Sequence, residues 1–325
     1  MKKTIGLFIR TGFPYDWVST EGIPWLENES KTNVKPDIAL FKYLVWKYPE
    51  HKFIKLYRRN FYRKTNIPDI VLMGWEELTI TYYEWIIKEK TPRKFERFYN
   101  ALKKVKNLYP SLPFIDFITN KCVYYKWLES HRFPVAPTLC YNLKENIEKG
   151  MIKNIKDKSW SKIFIKPQPS SESKGVGRFY FPKNKKKILA HINKLKRNKY
   201  SDAIVQKFVE NFSTTEYPEL RTFWVGKQYV YTTETTGYAY DWKIRKKRLP
   251  LFVLKESKRL IDELEKEFQI PMILLRLDWG QDRYGKYIIN EIEYAPGVFS
   301  QIFKPKKWKL DKLMGDFIMK KIVGI

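Results

Sequence analysis

The chain has 325 residues, which exceeds one ordinary domain and predicts two or three closely packed lobes. Hydrophobic residues make up 43% and aromatic residues 17%, so the composition excludes disorder over most of the length. The 63 lysines and arginines against 35 aspartates and glutamates give a net charge of +28, which attracts nucleic acid, anionic membranes or acidic metabolites. Because the lysines are spread along the whole chain, a basic surface facing water is an equally good interpretation.

Two further features bear on the cellular setting. No window approaches 18 uninterrupted apolar residues, so no membrane span is predicted, and the apolar run within residues 1–10 is too short for a signal peptide. The two cysteines, Cys122 and Cys140, are too few for a disulfide framework and do not stand in metal-ligand spacing with the three histidines. We therefore expect a cytoplasmic protein in a reducing environment.

The first third of the chain alternates strand-like runs with helical patterns. In chain order, the predicted elements are the strand Thr4–Ile9, the helix Asp37–Tyr48, the strands Lys52–Tyr57 and Asp69–Met73, and a mainly helical stretch, Thr81–Leu108, interrupted near Pro92. Such a βαβ pattern predicts a small parallel sheet covered by helices.

The rest of the chain divides into two further units. The second is predicted to contain the helix Lys121–His131, the strands Lys162–Lys166, Arg178–Phe181 and Ala203–Val209, and the helix Lys183–Arg197. The third is predicted to contain a hairpin of Leu220–Val225 and Gln228–Thr233 that turns at Gly226-Lys227, the helix Leu251–Phe268, the strands Ile273–Asp278 and Tyr287–Ile292, and the helix Asp311–Ile322. We place the domain boundaries at 1–118, 119–208 and 209–325.

A strand-end lysine and a polar loop form a candidate phosphate site. Lys166 closes a strand, and the loop Pro167–Gly177, rich in small residues, follows it. The ammonium supplies positive charge, and free backbone N–H groups in such a loop donate to phosphate oxygens. A plain hairpin with a charged end explains the same pattern as well.

The apolar run Ala203–Val209 leads into a carboxylate, Glu210. A strand that reaches a connector can offer backbone N–H and C=O groups to an adenine edge, while a carboxylate can hold ribose hydroxyls. Taken alone, this run is better interpreted as an ordinary core strand.

Three acidic residues near the C-terminus give the sharpest signal. Glu291 and Glu293 are two residues apart on a predicted strand and therefore share one face, and Asp278 can lie beside them on the neighbouring strand. Carboxylates so arranged repel one another unless they hold a cation, and oxygen ligands without His or Cys select Mg²⁺. The alternative is a strand face exposed to water, with Asn290 and Ile292 pointing inward. The apolar residues on both sides of this strand indicate that it is buried, and a buried acidic row needs a partner.

Arg221 lies on a strand ahead of the predicted hairpin turn. It could bind a phosphate or a substrate carboxylate with two parallel hydrogen bonds. An ion pair with Glu219, on the same strand face, is an equally good interpretation.

Taken in order, these motifs resemble those of ATP-grasp enzymes, and the resemblance covers roughly residues 119–300. The matching motifs are Asn-Lys at a helix start, Phe-Pro-Val-Ala-Pro-Thr, Ile-Lys-Pro with a small-residue loop, Val-Gln-Lys-Phe-Val, Glu-Leu-Arg-x-Phe-x-Val-Gly, Arg-x-Asp and Asn-Glu-Ile-x-x-x-Pro-Gly. They are most similar to D-alanine–D-alanine ligases and ribosomal-S6-type glutamate ligases. The resemblance implies an α/β fold with α+β lobes: a small N-terminal parallel-sheet domain followed by two lobes that grip ATP.

The resemblance also implies roles in nucleotide binding. Lys121 and Lys166 resemble the two lysines that contact the nucleotide phosphates, and Glu210 or Glu216 resembles the ribose ligand. The other residues matching nucleotide contacts are Ser170, Ser171, Gly175 and Val176 in the phosphate loop and Gln206, Lys207, Phe208 and Val209 at the adenine hinge.

Further roles concern the metal and the reaction. Asp278 and Glu291 resemble Mg²⁺ ligands, and Glu293 stands where the family usually has Asn, so it adds a negative charge to the set. Arg276 resembles the arginine that stabilises the tetrahedral intermediate, and Arg221 is the candidate for binding a substrate carboxylate or a phosphate. Lys243 belongs to Tyr240–Lys243, which resembles a mobile loop with a phosphate-binding lysine. Pro296-Gly297 resembles the turn that presents backbone N–H groups to the acyl group.

We therefore expect an ATP- and Mg²⁺-dependent ligase that joins a carboxylate to an amine through an acyl-phosphate, with small-molecule or peptide substrates. One alternative keeps the ATP site but transfers phosphate to a polyanion such as an inositol phosphate, which would give the positive charge a purpose. A second is a basic nucleic-acid-binding protein with an inactive ATP-grasp core, which predicts binding with a steep salt dependence.

Overall fold

The first sheet consists of parallel strands, as the sequence predicted. The computed structural model describes residues 2–9, 18–19, 23–28, 33–73, 78, 81–169, 175–210, 212–236, 242–294 and 310–325. The strands of this sheet are β1 (Thr4–Phe8), β4 (Lys52–Leu56), β5 (Ile70–Leu72) and β6 (Leu108–Tyr109), in the order β4-β1-β5-β6. A short antiparallel pair, β2 (Val18–Ser19) and β3 (Asn33–Val34), and a 3-10 helix, Pro24–Leu26, lie between β1 and β4 in the chain.

Helices cover both faces of this sheet. Successive side chains of β1 point to opposite faces, so they pack in two different cores. Ile5 and Leu7 share a core with helix α1 (Pro36–Lys47), whereas Phe8 belongs to a second core. The helices that contribute to the second core include α2 (Arg58–Phe61), the π-helix Tyr83–Lys88 and α3 (Pro92–Lys103). Pro92 begins α3 at its first position, where a proline costs no hydrogen bond. Helix α4 (Leu112–Thr119) leads out of this unit.

The second sheet is antiparallel and carries Lys166. Helix α5 (Lys121–Ser130) precedes it in the chain. Its strands are β7 (Thr138–Asn142), β8 (Lys162–Gln168), β9 (Gly177–Tyr180) and β10 (Asp202–Lys207), in the order β7-β10-β8-β9. Helices α6 (Glu148–Asp157) and α7 (Lys185–Arg197) cover one face, where Ile163 and Ile165 of β8 are fully buried. Lys166 and Gln168 therefore project from the opposite face of β8.

The third sheet is also antiparallel and carries the acidic residues. Its strands are β11 (Glu219–Val225), β12 (Gln228–Thr235), β13 (Trp242–Ile244), β14 (Leu275–Gln281) and β15 (Tyr287–Tyr294), in the order β13-β12-β11-β14-β15. The predicted hairpin is confirmed, and Gly226 at its turn has φ +54°, a left-handed conformation that favours glycine. Helix α8 (Leu251–Phe268) packs on this sheet, and α9 (Leu310–Ile318) continues into the π-helix Met319–Val323.

The largest core joins all three units. It combines the α1 side of the first sheet with α4, α5, α8 and the third sheet, and Ile204 of the second sheet also belongs to it. In α8, the buried Val253, Leu260, Ile261 and Leu264 recur at the spacing of one helix face. This core holds the strands that carry the acidic residues against α5.

Two findings bear on the cellular setting. Cys122 at the start of α5 and Cys140 in β7 form a disulfide, with their Cα atoms 5.8 Å apart. We had predicted a reducing environment from the sequence. The disulfide argues against this prediction, because such bonds persist mainly in oxidising compartments. Within the described part of the chain, no helix is both long enough and apolar enough to cross a bilayer.

Candidate active site

The predicted acidic residues lie together on strands β14 and β15. Asp278 pairs directly with Glu291, and Arg276 pairs with Glu293, two positions along. One carboxylate oxygen from each of Asp278, Glu291 and Glu293 lies within 4.8 Å of the other two. Asp278 is only 1% exposed, whereas the two glutamates are half-buried. Three carboxylates therefore meet at a site with limited access to water.

Arg276 balances part of this negative charge. Its guanidinium donates to both oxygens of Asp278, at 2.8 and 2.9 Å, and its terminal nitrogen lies 2.7 Å from Glu293 Oε2. Burial alone would lower the pKa of Arg276, but the neighbouring carboxylates of Asp278 and Glu293 outweigh it and raise that pKa. The planar two-point contact orients the Asp278 carboxylate as well as neutralising it.

Lys121 reaches the same carboxylates from the start of α5. Asn120 caps this helix by accepting a hydrogen bond from the Val123 N–H, which fixes where the helix begins. Lys121 Nζ forms an ion pair with Glu291. Burial lowers the pKa of Lys121, and the positive charge of Lys166 lowers it further. The two lysines predicted to contact phosphates are thus close enough for their charges to interact.

Lys166 enters the site from β8. Burial lowers the pKa of Lys166 to about 8, while the negative charge of Glu219 opposes this effect. Glu219, only 5% exposed, accepts hydrogen bonds from Arg221 Nε at 3.1 Å and from its terminal nitrogen at 3.0 Å. Arg221 also lies 3.9 Å from Asp278. The ion pair with Glu219 that the sequence left as an alternative for Arg221 is therefore present.

Two residues of this cluster were not among the predicted site residues. Glu219 connects Lys166 to the other charges, and Asn290 donates to Glu219 Oε1 at 2.8 Å. The strand register shifts between Asp278 and Trp279, so that Asn290 has no paired residue and its side chain faces Glu219. Strict alternation had placed Asn290 with Ile292, and a β-bulge of this kind cannot be read from alternation.

The predicted adenine hinge continues from β10. Gln206 is buried and donates to Thr138 Oγ1 at 3.1 Å, Lys207 is exposed, and Val209 is half-buried. The centroids of the Phe208 and Phe164 rings are 5.1 Å apart. Lys162 Nζ lies 3.5 Å from the centroid of the Phe208 ring. The hinge region is thus a partly open aromatic surface at the end of a buried strand.

The two predicted ribose ligands are both exposed. Glu210 lies 3.5 Å from Lys162 Nζ, and Glu216 interacts with the neighbouring Tyr217. Neither has an ion pair with Arg276, Lys121 or Lys166 in the described structure. Glu210 stands beside the hinge, which makes it the better placed of the two.

The remaining predicted residues lie in or beside loops. Gly175 has φ +74°, a conformation that favours glycine, and His191 contacts its carbonyl oxygen, while Val176 is half-buried. Lys243 on β13 is 74% exposed and lies 3.7 Å from Glu234, so its ion-pair partner is outside the acidic cluster. The predicted residues Ser170, Ser171, Tyr240, Asp241, Pro296 and Gly297 fall outside the described residues.

The chemistry of the acidic cluster fits a magnesium ion. All three donors are carboxylate oxygens on neighbouring strands, and hard oxygen ligands suit Mg²⁺ better than softer metals. Asp278, Glu291 and Glu293 would hold the ion, and Lys121 would then exchange its contact with Glu291 for one with a ligand. Arg276 would keep Asp278 in place because it contacts both of that carboxylate's oxygens.

Comparisons with known proteins found similar structures but no match to the sequence. No family model and no curated protein matches the sequence. Among solved structures, the chain is similar to D-cycloserine synthetase DcsG (TM-score 0.65, 13% identity, 96% of this chain and 99% of that one) and to the RimK domain ATP-grasp protein of Sphaerobacter thermophilus (TM-score 0.63, 9% identity, 97% and 98%). It is also similar to D-alanine–D-alanine ligase from Bacillus anthracis complexed with ATP (TM-score 0.61, 11% identity, 98% and 97%).

These similarities span nearly the whole of each chain. The protein therefore has the ATP-grasp fold, as the order of its motifs indicated. At 9–13% identity the likeness establishes the fold alone.

Proposed function

We propose that this protein is an ATP-dependent ligase that joins a carboxylate to an amine through an acyl-phosphate. One observation carries the proposal: the carboxylates of Asp278, Glu291 and Glu293 meet the partly buried lysines Lys121 and Lys166 within an ATP-grasp fold. Oppositely charged groups drawn from separate lobes can bind a metal and a triphosphate at the same place. The solved structures with this fold include amide- and peptide-forming ligases, which supports the same reaction class here.

The protein's part in the first step is positioning and charge. The γ-phosphoryl group passes from ATP to a substrate carboxylate, which releases ADP and forms the acyl-phosphate. Lys121 and Lys166 neutralise the phosphate oxygens, and positioning with electrostatic stabilisation does most of the work in such transfers. When bound, magnesium supplies further neutralisation of the phosphate charge. We assign its ligands as Asp278, Glu291 and Glu293.

In the second step an amine attacks the acyl carbon, and phosphate leaves as the amide forms. Arg276 is our candidate for stabilising the negatively charged oxygen of the tetrahedral intermediate, because its guanidinium is fixed at the carboxylate cluster by Asp278 and Glu293. Loss of one such donor typically costs about 2.7–4 kcal/mol of barrier. Arg221, held by Glu219, is the candidate for contacting a phosphate or the substrate carboxylate.

A substrate-dependence assay tests the reaction class. Purified protein is incubated with ATP, Mg²⁺ and panels of acids and amines, and ADP is measured. A ligase releases stoichiometric ADP and phosphate only when an acid and an amine are both present. A kinase needs a single acceptor and keeps the phosphate on it; the net charge of +28 favours a polyanionic acceptor for that alternative. Binding of nucleic acid without any ATP turnover would exclude both enzymes.

Two substitutions test the metal site. Asp278→Asn and Glu291→Gln each remove a charge with little change of shape, so we expect ATP turnover to be abolished while the fold persists. Asp262→Asn is the matched control, because this exposed carboxylate on α8 pairs with Lys227, away from the cluster. Full turnover in both site variants would end the metal assignment.

A further inference from the structure

The side chain of Gln168 links the two segments that carry the phosphate-binding lysines. It lies at the end of β8, two residues after Lys166, so both side chains project from the same face of that strand. Across that face lie the end of α4 at Thr119 and the start of α5 at Lys121. Gln168 is therefore placed between the strand of one lysine and the helix of the other.

Its amide makes one contact with each side of the α4–α5 junction. Gln168 Oε1 accepts a hydrogen bond from the backbone N–H of Lys121 at 3.2 Å, and Nε2 donates to the carbonyl oxygen of Thr119. The Lys121 N–H is one of the N–H groups at a helix start that have no acceptor within the helix. The amide of glutamine carries an acceptor and a donor side by side, which matches the N–H and C=O groups on the two sides of the junction.

The rest of Gln168 is equally fixed. The residue is 3% exposed, and its backbone carbonyl accepts hydrogen bonds from Ser201 N at 3.0 Å and from Ser201 Oγ at 2.9 Å. A buried amide that lost its partners would carry the full cost of desolvation, so the junction and the strand are held at one separation. That separation sets how close the two ammonium groups stand.

We propose that Gln168 is a positioning residue that holds Lys121 and Lys166 at the spacing needed to bind the phosphates of ATP. The positively charged ammonium groups of Lys121 and Lys166 repel each other. Without hydrogen bonds that link the two segments, the lysines would move apart. Gln168 opposes this movement through neutral hydrogen bonds, which add no charge that would compete for the phosphates. The inference rests on the proposed ATP site.

Binding measurements with two probes test this role. ATP has phosphates that can bind the two lysines, whereas adenosine has none. Calorimetric titration with both therefore separates the affinity contributed by the lysines from that contributed by the rest of the nucleotide site. In Gln168→Met, of similar length but without hydrogen bonds, we expect Kd for ATP to rise roughly tenfold while Kd for adenosine stays unchanged. Asn154→Leu is the matched control, because it removes another amide hydrogen bond in the same lobe, to the hydroxyl of Tyr141, and should leave both affinities intact.

A double substitution tests whether Gln168 acts through the lysines. Added to Lys166→Met, Gln168→Met should weaken ATP binding by less than it does in the wild type, since coupled residues are not additive. If Gln168→Met does not fold, Gln168→Glu replaces it, because it keeps the acceptor for Lys121 N and loses the donor to Thr119. Its negative charge repels the phosphates in either background, so only the part of the loss that disappears in Lys166→Met reports the positioning role. We expect the loss of ATP affinity to be smaller in that background, and an equal loss in both overturns the role.

The outcomes separate this inference from the proposed function. Wild-type protein that binds no ATP contradicts the proposed function itself. Wild-type protein that binds ATP, with a Gln168 variant of equal affinity, overturns the positioning role and leaves the ATP site standing. Equal weakening of ATP and adenosine, or full additivity with Lys166→Met, also overturns it, because either result describes general loosening of the lobe.

Discussion

Raising the pH from 7 to 9 should weaken ATP binding by deprotonating Lys166. Burial lowers the pKa of this lysine from its ordinary value of 10.5 to about 8, and Glu219 limits the decrease. With that pKa, roughly nine-tenths of the lysine is charged at pH 7 and roughly one-tenth at pH 9. If the phosphates bind only the ammonium form, affinity falls about tenfold across this range, or about 1.4 kcal/mol. The affinity is therefore close to its full value at pH 7, about half of that at pH 8, and lower still as the pH rises further.

Titration calorimetry at pH 7, 8 and 9 measures this change directly. Lys166→Arg is the control, because a guanidinium stays charged throughout the range and should flatten the part of the pH dependence that belongs to residue 166. Wild-type affinity that does not change between pH 7 and 9 would refute the reasoning. If the ATP affinity of Lys166→Arg fell with pH as steeply as that of the wild type, the titrating group would be one other than Lys166.

Two further substitutions probe the cluster and the disulfide. Arg276→Met should lower kcat by about 10²–10³-fold through loss of the donor to the intermediate. It should also lower the free energy of unfolding by about 3 kcal/mol, because the buried Asp278 loses its two hydrogen bonds to Arg276 and keeps only the longer contact with Arg221, at 3.9 Å. Steady-state kinetics and urea denaturation measure these effects, and unchanged stability would contradict the pairing. Cys140→Ser opens a loop with a sequence separation of 18 and should cost about 3 kcal/mol of unfolding free energy in oxidising buffer. The difference from wild type should shrink in dithiothreitol; an equal loss in both buffers would show that the cysteines are not bridged.

Local periodicity predicted many of the strands and helices, whereas the overall fold was inferred from the resemblance of the ordered motifs to ATP-grasp enzymes. Alternation predicted the strands around Asp278 and Glu291, and the two-residue spacing of Glu291 and Glu293 placed both on one face. Glycine at 226 marked the hairpin turn, and helix-period patterns predicted α8 with the boundaries that it has. These features depend on residues close together in the sequence, which is why the sequence alone reveals them.

The features that were missed depend on contacts between distant residues. The β-bulge that turns Asn290 toward Glu219 interrupts the alternation that grouped Asn290 with Ile292. Gln168 meets the start of α5 across 47 residues, and its role is visible only when β8 and α5 are placed side by side. The pairing of Cys122 with Cys140 likewise joins a helix to a strand, and two cysteines in a sequence do not reveal whether they will meet.

A crystal structure with magnesium and a non-hydrolysable ATP analogue tests the central claim most directly. We predict a metal ion about 2.0–2.1 Å from carboxylate oxygens of Asp278 and Glu291, with the triphosphate within hydrogen-bonding distance of Lys121 and Lys166. Nucleotide bound elsewhere, or bound at these lysines with no metal at the carboxylates, would contradict the account.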